Sequence, residues 1–183
     1  MGKKVNGVDV DRLMETIELV KDQPDMGRFK FRATNTWVGG THNRATVKSF
    51  YGAGQEDDTR DPLVFEIDEP PVLLGENRGA NPVEYLLVGL SGCITTSMVA
   101  HAAARGIEIK AVSSRFEGDI DLGGFLGISE SIPVGYQQIR IFFKIEADIS
   151  DQQKEELIEM GKKYSPVFNT LTKGVPVTAQ LDR

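Results

Sequence analysis

The stretch from Asn81 to Gly106 constrains the fold more than any other part of the sequence. Asn81 suits a helix N-cap, Pro82 suits the first helical position, and Glu84 can reach back to complete a capping box. Gly106 suits the left-handed residue that ends a helix. These signals predict a helix of roughly 24 residues that ends at Arg105 and is about 36 Å long. Because this helix is apolar on nearly every side, we expect protein to surround it.

The segments on either side of this helix mix strands with helices. Asp9 can cap a helix over 9–22, and period-two alternation that begins at Phe29 and resumes over 45–51 predicts a hairpin. No regular βαβ order appears, so we predict an α+β fold with antiparallel sheets, in which 1–28 is a helical extension to a domain over 29–183. Further strands are predicted over 63–67, 107–117, 138–147 and 175–181, and further helices over 150–164 and from Pro166.

Charge and composition restrict the partners and the compartment. The chain has 183 residues, a net charge of −6 and 40% hydrophobic residues. It can therefore form a core, and it lacks the basic face that nucleic acid or an anionic membrane requires. No apolar stretch follows Lys3 and Lys4, so we expect no secretory signal and a cytoplasmic protein. Glycine, serine and threonine interrupt the apolar segment 85–104, which favours a buried helix over a membrane span.

Cys93 is the single cysteine and lies in the middle of the long predicted helix. An intramolecular disulfide is therefore excluded. A lone cysteine on an apolar helix is most often a small hydrophobic core residue. Gly89 and Gly92 would let backbone or a ligand approach this part of the helix, and several hydroxyl side chains lie nearby. Packing glycines explain these features equally well, so composition alone does not decide whether Cys93 is reactive.

A family resemblance adds to this interpretation. The order and spacing of several short motifs over 29–183 resemble the OsmC/Ohr superfamily, and only the N-terminal helix lies outside the match. The motifs are Asn81-Pro82-x-Glu84-Tyr85-Leu86-Leu87 with Gly92-Cys93, Gly106-Ile107, Asp121-x-x-Gly124-x-Leu126-Gly127, Gly135-Tyr136-Gln137-Gln138-Ile139 and Ser165-Pro166-Val167-x-Asn169-Thr170-Leu171.

The resemblance implies an intertwined homodimer in which antiparallel sheets enclose two long central helices. It also implies that a cysteine on the central helix, here Cys93, reduces organic hydroperoxides. A thiolate attacks the peroxide, becomes a sulfenic acid and is restored by another thiol. The family uses an arginine after the first hairpin turn to favour the thiolate, and Arg44 fits that place. Arg44 could equally be a solvated hairpin charge, and Arg60 is a weaker candidate on an acidic loop.

Two departures from the family pattern bear on this activity. Peroxidase members resolve the sulfenic acid with a second cysteine, where this chain has Ser165, so an external thiol must restore Cys93. Ser165 can still cap the helical turn that begins at Pro166. Family members also place a glutamate directly after Asn-Pro, where Val83 stands here. Glu84 is one position later, which turns its side chain by about 100°, so we predict a capping role for it.

Other catalytic arrangements have less support in the sequence. His101 lies eight residues after Cys93, about 12 Å along one helix, which is too far for a cysteine–histidine pair. His42 is distant in sequence from both. No cluster has metal-ligand spacing, and no phosphate-binding or dinucleotide motif appears, so we expect neither a metal nor a cofactor.

Two functional hypotheses and one structural alternative, a stress-related dimer in which the Cys93 thiol is only packed, remain open at this point. The first is a single-cysteine reductase of organic hydroperoxides that uses Cys93, Arg44 and an external thiol. The second is a non-catalytic protein that binds a small apolar ligand in the dimer cleft, with Cys93 lining the cleft.

Overall fold

The structure is a computed structural model that describes residues 2–182. Its described strands are β1 (Lys4–Val5), β2 (Val8–Asp9), β3 (Lys30–Phe31), β4 (Thr34–Gly39), β5 (His42–Val47), β6 (Phe50–Gly52), β7 (Gln55–Asp57), β8 (Leu63–Ile67), β9 (Ala111–Asp119) and β10 (Gln138–Glu146). Its described helices are α1 (Val10–Asp22), α2 (Pro82–Ala104), α3 (Leu122–Phe125), α4 (Asp151–Tyr164) and α5 (Pro166–Lys173), with 3-10 turns at Pro24–Gly27 and Pro71–Leu73. The paired strands of the larger sheets are antiparallel, which confirms a mixed α+β fold.

The chain forms two compact units. The first contains 9–86 and the residues up to Lys3, and the second contains Lys4–Val8 and the residues from Leu87 onward. In the first unit β4, β5 and β8 form one three-stranded sheet, and β3, β6 and β7 form another.

The predicted first hairpin is confirmed in part. β4 and β5 pair through the turn at Gly40, but the alternation that starts at Phe29 is divided between β3 and β4. β3 pairs with β6, and β6 pairs in turn with β7. Ala53 and Gly54 both have positive φ angles, 49° and 78°, and they form the tight turn that brings β7 back along β6.

The N-terminal helix is confirmed as α1, and its cap is as predicted. The Arg12 amide donates to Oδ1 of Asp9 over 3.1 Å. A short hairpin, β1–β2, precedes α1 and was not predicted from the sequence. Its turn is Asn6-Gly7, with φ angles of 53° and 78°, and Asn-Gly is the strongest short hairpin signal.

Helix α2 has the predicted ends. The Glu84 amide donates to Oδ1 of Asn81 over 2.9 Å, and the Asn81 amide donates to Oε2 of Glu84 over 2.8 Å. Gly106, with φ of 70°, ends the helix as predicted. The residues of one chain leave part of α2 uncovered, since Val88 is 60% exposed. The buried residues follow helical spacing along one stripe: Leu90, Ile94, Met98, Ala102 and Ala103.

Among the described residues, α2 is the one helix long and apolar enough to cross a membrane. Length and composition alone are weak evidence, because the core helix of a folded domain passes the same test. In the second unit Met98 and Ala102 pack with Ile145 and Leu157 in a hydrophobic cluster. This packing is typical of a core helix.

Strands β9 and β10 pair along their full length in the second unit, from Ala111 opposite Glu146 to Asp119 opposite Gln138. The predicted strand over 107–117 therefore starts later, at Ala111. The side chain of Asn6 bonds to the backbone of the segment that precedes β9. Its Nδ2 donates to the Ile107 carbonyl over 2.9 Å, and its Oδ1 accepts from the Ile109 amide over 2.8 Å. A side-chain amide thus takes the place of a neighbouring strand.

The predicted strand over 175–181 is wrong for the single chain. No strand occurs beyond Lys173 within the described residues, and Val177 and Leu181 are 86% and 79% exposed. Alternating apolar residues are not sufficient for a strand, because its backbone groups need a neighbouring strand to bond.

Candidate functional site

Cys93 is half-buried on α2, within the second unit. Its sulfur accepts a hydrogen bond from the backbone amide of Val167 over 3.5 Å. These residues are 74 positions apart, so this contact depends on the tertiary packing of α2 against the segment that links α4 to α5.

Two contacts fix that segment beside Cys93. Gly161 brings α4 close to α2: a Cβ at this glycine would lie 3.1 Å from both the backbone oxygen and Cγ2 of Ile94. At the end of α4, Oγ of Ser97 donates to the carbonyl of Tyr164 over 3.2 Å. The chain then enters α5 next to the thiol-bearing turn of α2.

Ser165 is fully buried and is the N-cap of α5, as predicted. Its Oγ accepts from the Phe168 amide over 3.1 Å, and its carbonyl accepts from the Asn169 amide, also over 3.1 Å. Pro166 occupies the first helical position. These bonds satisfy the other amides of the first turn, and the Val167 amide faces the sulfur.

The N-terminus of α5 directs a backbone hydrogen-bond donor at the sulfur of Cys93. Backbone amides at a helix N-terminus carry partial positive charge and lack intrahelical partners. The amide of Val167 belongs to the second residue of α5 and donates directly to Sγ of Cys93. A thiolate formed at Cys93 would therefore accept a charge-assisted hydrogen bond.

Arg44 lies on β5 in the first unit, and its Nε donates to Oε1 of Glu66 on β8 over 2.7 Å. Nε2 of His42 lies 2.6 Å from the second oxygen of the same carboxylate. These hydrogen bonds, first that of His42 and then that of Arg44, hold the pKa of Glu66 below its usual range. The guanidinium of Arg44 is thus paired within its own sheet, and its proposed role toward Cys93 stays a prediction.

The two remaining sequence candidates have structural roles in the first unit. The carboxylate of Glu84 is occupied by the Asn81 amide, which confirms the predicted capping box. Nε of Arg60 donates to the Lys48 carbonyl, and its guanidinium lies 5.6 Å from the centre of the Phe50 ring.

Residues 75–180, more than half of the chain, match the model of the family described as OsmC-like protein. The chain belongs to the OsmC-like protein family. No curated protein matches it.

Solved structures of OsmC-like proteins share the fold. An OsmC-like protein from Mycoplasma pneumoniae superposes with a TM-score of 0.62 at 21% identity, covering 80% of this chain and 89% of that one. A Legionella pneumophila protein named as organic hydroperoxide resistance protein OsmC and predicted redox protein gives 0.56 at 17% identity, covering 78% and 88%. An organic hydroperoxide resistance protein from Elizabethkingia anophelis gives 0.56 at 21% identity, covering 79% and 89%.

A second polar cluster of this OsmC-like chain, which was not predicted from the sequence, is centred on buried Asp68 in the first unit. Its carboxylate accepts from the Thr41 hydroxyl over 2.7 Å and from the amides of Glu69, Glu76 and Arg78 over 2.9, 3.0 and 3.3 Å. These bonds, led by that of Thr41, lower the pKa of Asp68 to about 2. The cluster borders an open cavity of about 300 Å³. The only signal in the sequence is an aspartate directly before a Glu-Pro-Pro turn.

His101 does not form a catalytic pair in the second unit. Its ring stacks on that of Tyr164 with centroids 4.0 Å apart, and Nη1 of Arg105 donates to its carbonyl over 2.9 Å. Burial, and then the charge of Arg105, lower the pKa of His101. Among residues 2–182, no group of three or more histidine, cysteine, aspartate or glutamate side chains could hold a metal ion.

Proposed function

We propose that this OsmC-like protein reduces organic hydroperoxides through Cys93, with an external thiol as the reductant. The hydrogen bond from the Val167 amide to Sγ of Cys93 carries the proposal, because a thiolate formed there would accept a charge-assisted hydrogen bond at a half-buried position. Membership of the family supports it, and two of the similar structures are named as organic hydroperoxide resistance proteins.

The reaction balances with these residues. The Cys93 thiolate attacks a peroxide oxygen, a sulfur–oxygen bond forms, the oxygen–oxygen bond breaks, and an alcohol leaves after protonation. An external thiol then attacks the sulfenic sulfur, water leaves, and a mixed disulfide forms. A second thiol restores Cys93. Ser165 cannot form a disulfide, and its hydroxyl caps α5.

The proposed active form is an intertwined homodimer in which antiparallel sheets enclose the α2 helices of both subunits. Large apolar side chains that one chain leaves exposed support this, including Phe31, Trp37 and Val88. Arg44 is the proposed cation of the assembled site. A dependence on external thiols fits the reducing cytoplasm.

The test is consumption of tert-butyl hydroperoxide by purified protein with dithiothreitol or dihydrolipoamide as the thiol. We expect thiol-dependent turnover by the wild-type protein and only background consumption by Cys93→Ser. Absence of turnover with every thiol donor would overturn the proposal.

The exposed apolar face of α2 around Val88 also favours a second candidate, the binding of a small apolar ligand in the dimer cleft. Mass spectrometry of the native protein separates the two functions. A copurified apolar ligand that Cys93→Ser retains, together with a thiol inert to peroxide, is the result expected of a binding protein.

A further inference from the structure

We propose that oxidised Cys93 is captured by the backbone nitrogen of Val167 as a cyclic sulfenamide. This inference rests on the proposed function, because that reaction supplies the sulfenic acid. The nitrogen of Val167 lies 3.5 Å from Sγ of Cys93. Backbone nitrogens are known partners for condensation with a sulfenic acid.

The first turn of α5 makes Val167 the available nitrogen. Pro166 has no N–H, the Phe168 amide donates to Oγ of Ser165, and the Asn169 amide donates to the Ser165 carbonyl. The amide at the second helical position has no intrahelical acceptor. Its conversion to a nitrogen–sulfur bond therefore breaks no helical hydrogen bond of α5.

The step conserves atoms and electrons. Cys93 enters as S–OH after an organic hydroperoxide has oxidised it. The Val167 nitrogen bonds to the sulfur as the sulfur–oxygen bond breaks, and the hydroxyl leaves with the amide proton as water. The sulfur keeps its oxidation state. An external thiol then attacks the sulfur, the nitrogen regains its proton, and a second thiol reduces the resulting mixed disulfide.

The sulfenamide would protect Cys93 against further oxidation in a chain that has no second cysteine. A sulfenic acid that meets more peroxide becomes a sulfinic acid, which ordinary thiols cannot reduce. Where a resolving cysteine is present, a disulfide prevents this loss. Here the buried Ser165 supplies no sulfur, and the adjacent amide can close a reversible ring instead.

The experiment treats the reduced full-length protein with one equivalent of tert-butyl hydroperoxide in the absence of thiol, followed by intact mass and peptide mapping. We expect a species about 2 Da lighter than the reduced protein, which dithiothreitol returns to its original mass. Its digest should join the peptide of Cys93 covalently to that of Val167.

Two other outcomes distinguish failure of the sulfenamide proposal from failure of the proposed function. A species about 16 Da heavier that dimedone labels, and that advances to the sulfinic acid, would overturn the sulfenamide and leave the proposed function intact. An unchanged mass would overturn the proposed function and the sulfenamide together.

Variants at Val167 provide the matched comparison. Val167→Ala keeps the amide, so we expect it to give the lighter species and the joined peptides. Val167→Pro lacks the N–H, although proline is tolerated in a first helical turn. We expect it to accumulate the heavier oxidised forms, and a lighter species in it would overturn the inference. If circular dichroism shows that Val167→Pro does not fold, the peptide maps of the wild-type protein and Val167→Ala decide the question.

Discussion

The backbone amide of Val167 donates a hydrogen bond to the sulfur of Cys93 over 3.5 Å. This bond connects two parts of the chain that carry the family motifs, the long helix α2 and the N-terminus of α5. It gives a thiolate formed at Cys93 a hydrogen-bond donor within its own unit.

The cap of α5 is predicted to control the reactivity of Cys93. Ser165→Ala removes the acceptor of the Phe168 amide, which should destabilise the protein by about 1 kcal/mol and loosen the first turn that carries the Val167 amide. We expect slower alkylation of Cys93 by iodoacetamide at neutral pH. Ser165→Thr should largely restore the rate.

Ser150 provides a matched control for that experiment, because its Oγ caps α4 by accepting from the Gln153 amide. Ser150→Ala should lose similar stability, again about 1 kcal/mol, without slowing alkylation of Cys93. Equal alkylation rates in both alanine variants would show that the cap of α5 has only a structural role.

Ser165→Cys should create a second thiol able to reach Cys93, because residue 165 lies two positions before the amide that contacts the sulfur. After one equivalent of peroxide we expect both thiols to disappear and the peptide map to show a disulfide between Cys93 and the introduced cysteine. Two thiols that survive in the folded variant, as measured with a thiol reagent, would contradict this proximity.

Arg44→Ala tests whether this guanidinium contributes to turnover beyond its ion pair. The pair with Glu66 is partly exposed, so its loss should change the stability of the protein only slightly. We expect turnover of tert-butyl hydroperoxide to fall about tenfold, since a cation that stabilises the thiolate by about 1.4 kcal/mol changes the thiolate population tenfold.

The control for Arg44 is Arg32→Ala, which breaks a comparable pair with Glu56 in the same unit. Its turnover should stay at the wild-type level. If Arg44→Ala keeps the same turnover as Arg32→Ala, then Arg44 only stabilises its own sheet.

Asp68 should make the free energy of unfolding depend on pH. Its pKa is lowered to about 2 in the folded protein, below the value of about 3.9 for an unfolded aspartate. The contribution of the ionised carboxylate is therefore present above about pH 4 and is lost as the pH falls towards 2. Asp68→Asn should be less stable than the wild-type protein at neutral pH, and urea titrations should show the difference shrinking below about pH 4.

Asp58→Asn, on the exposed loop before β8, is the control and should leave the pH dependence unchanged. A constant difference between wild type and Asp68→Asn from neutral pH down to about pH 2 would contradict the role assigned to Asp68.

Local chemistry made several features predictable from the sequence. The caps formed by Asn81, Ser150 and Ser165 involve residues at most three positions away, so the motif itself specifies the bond. The stop at Gly106 is likewise local. The same local signals at the two ends of α2 placed Cys93 in the middle of this helix.

Features that depend on distant segments were not predictable from one sequence. The bonds from Asn6 to Ile107 and Ile109 span about a hundred residues, and nothing near Asn6 signals them. The close approach of Gly161 to Ile94 was also not predictable. A glycine within a helix indicates close packing but does not indicate which residue lies opposite it. The strand predicted over 175–181 failed because alternation specifies a face and cannot supply a neighbouring strand.

A single-turnover titration tests directly whether Cys93 reduces organic hydroperoxides. Reduced protein is mixed with increasing amounts of tert-butyl hydroperoxide without added thiol, and the remaining free thiol and the tert-butanol formed are both measured. We expect one equivalent of peroxide to remove the Cys93 thiol and to yield one equivalent of alcohol. A thiol count that stays constant, with no alcohol formed by the folded protein, would contradict it.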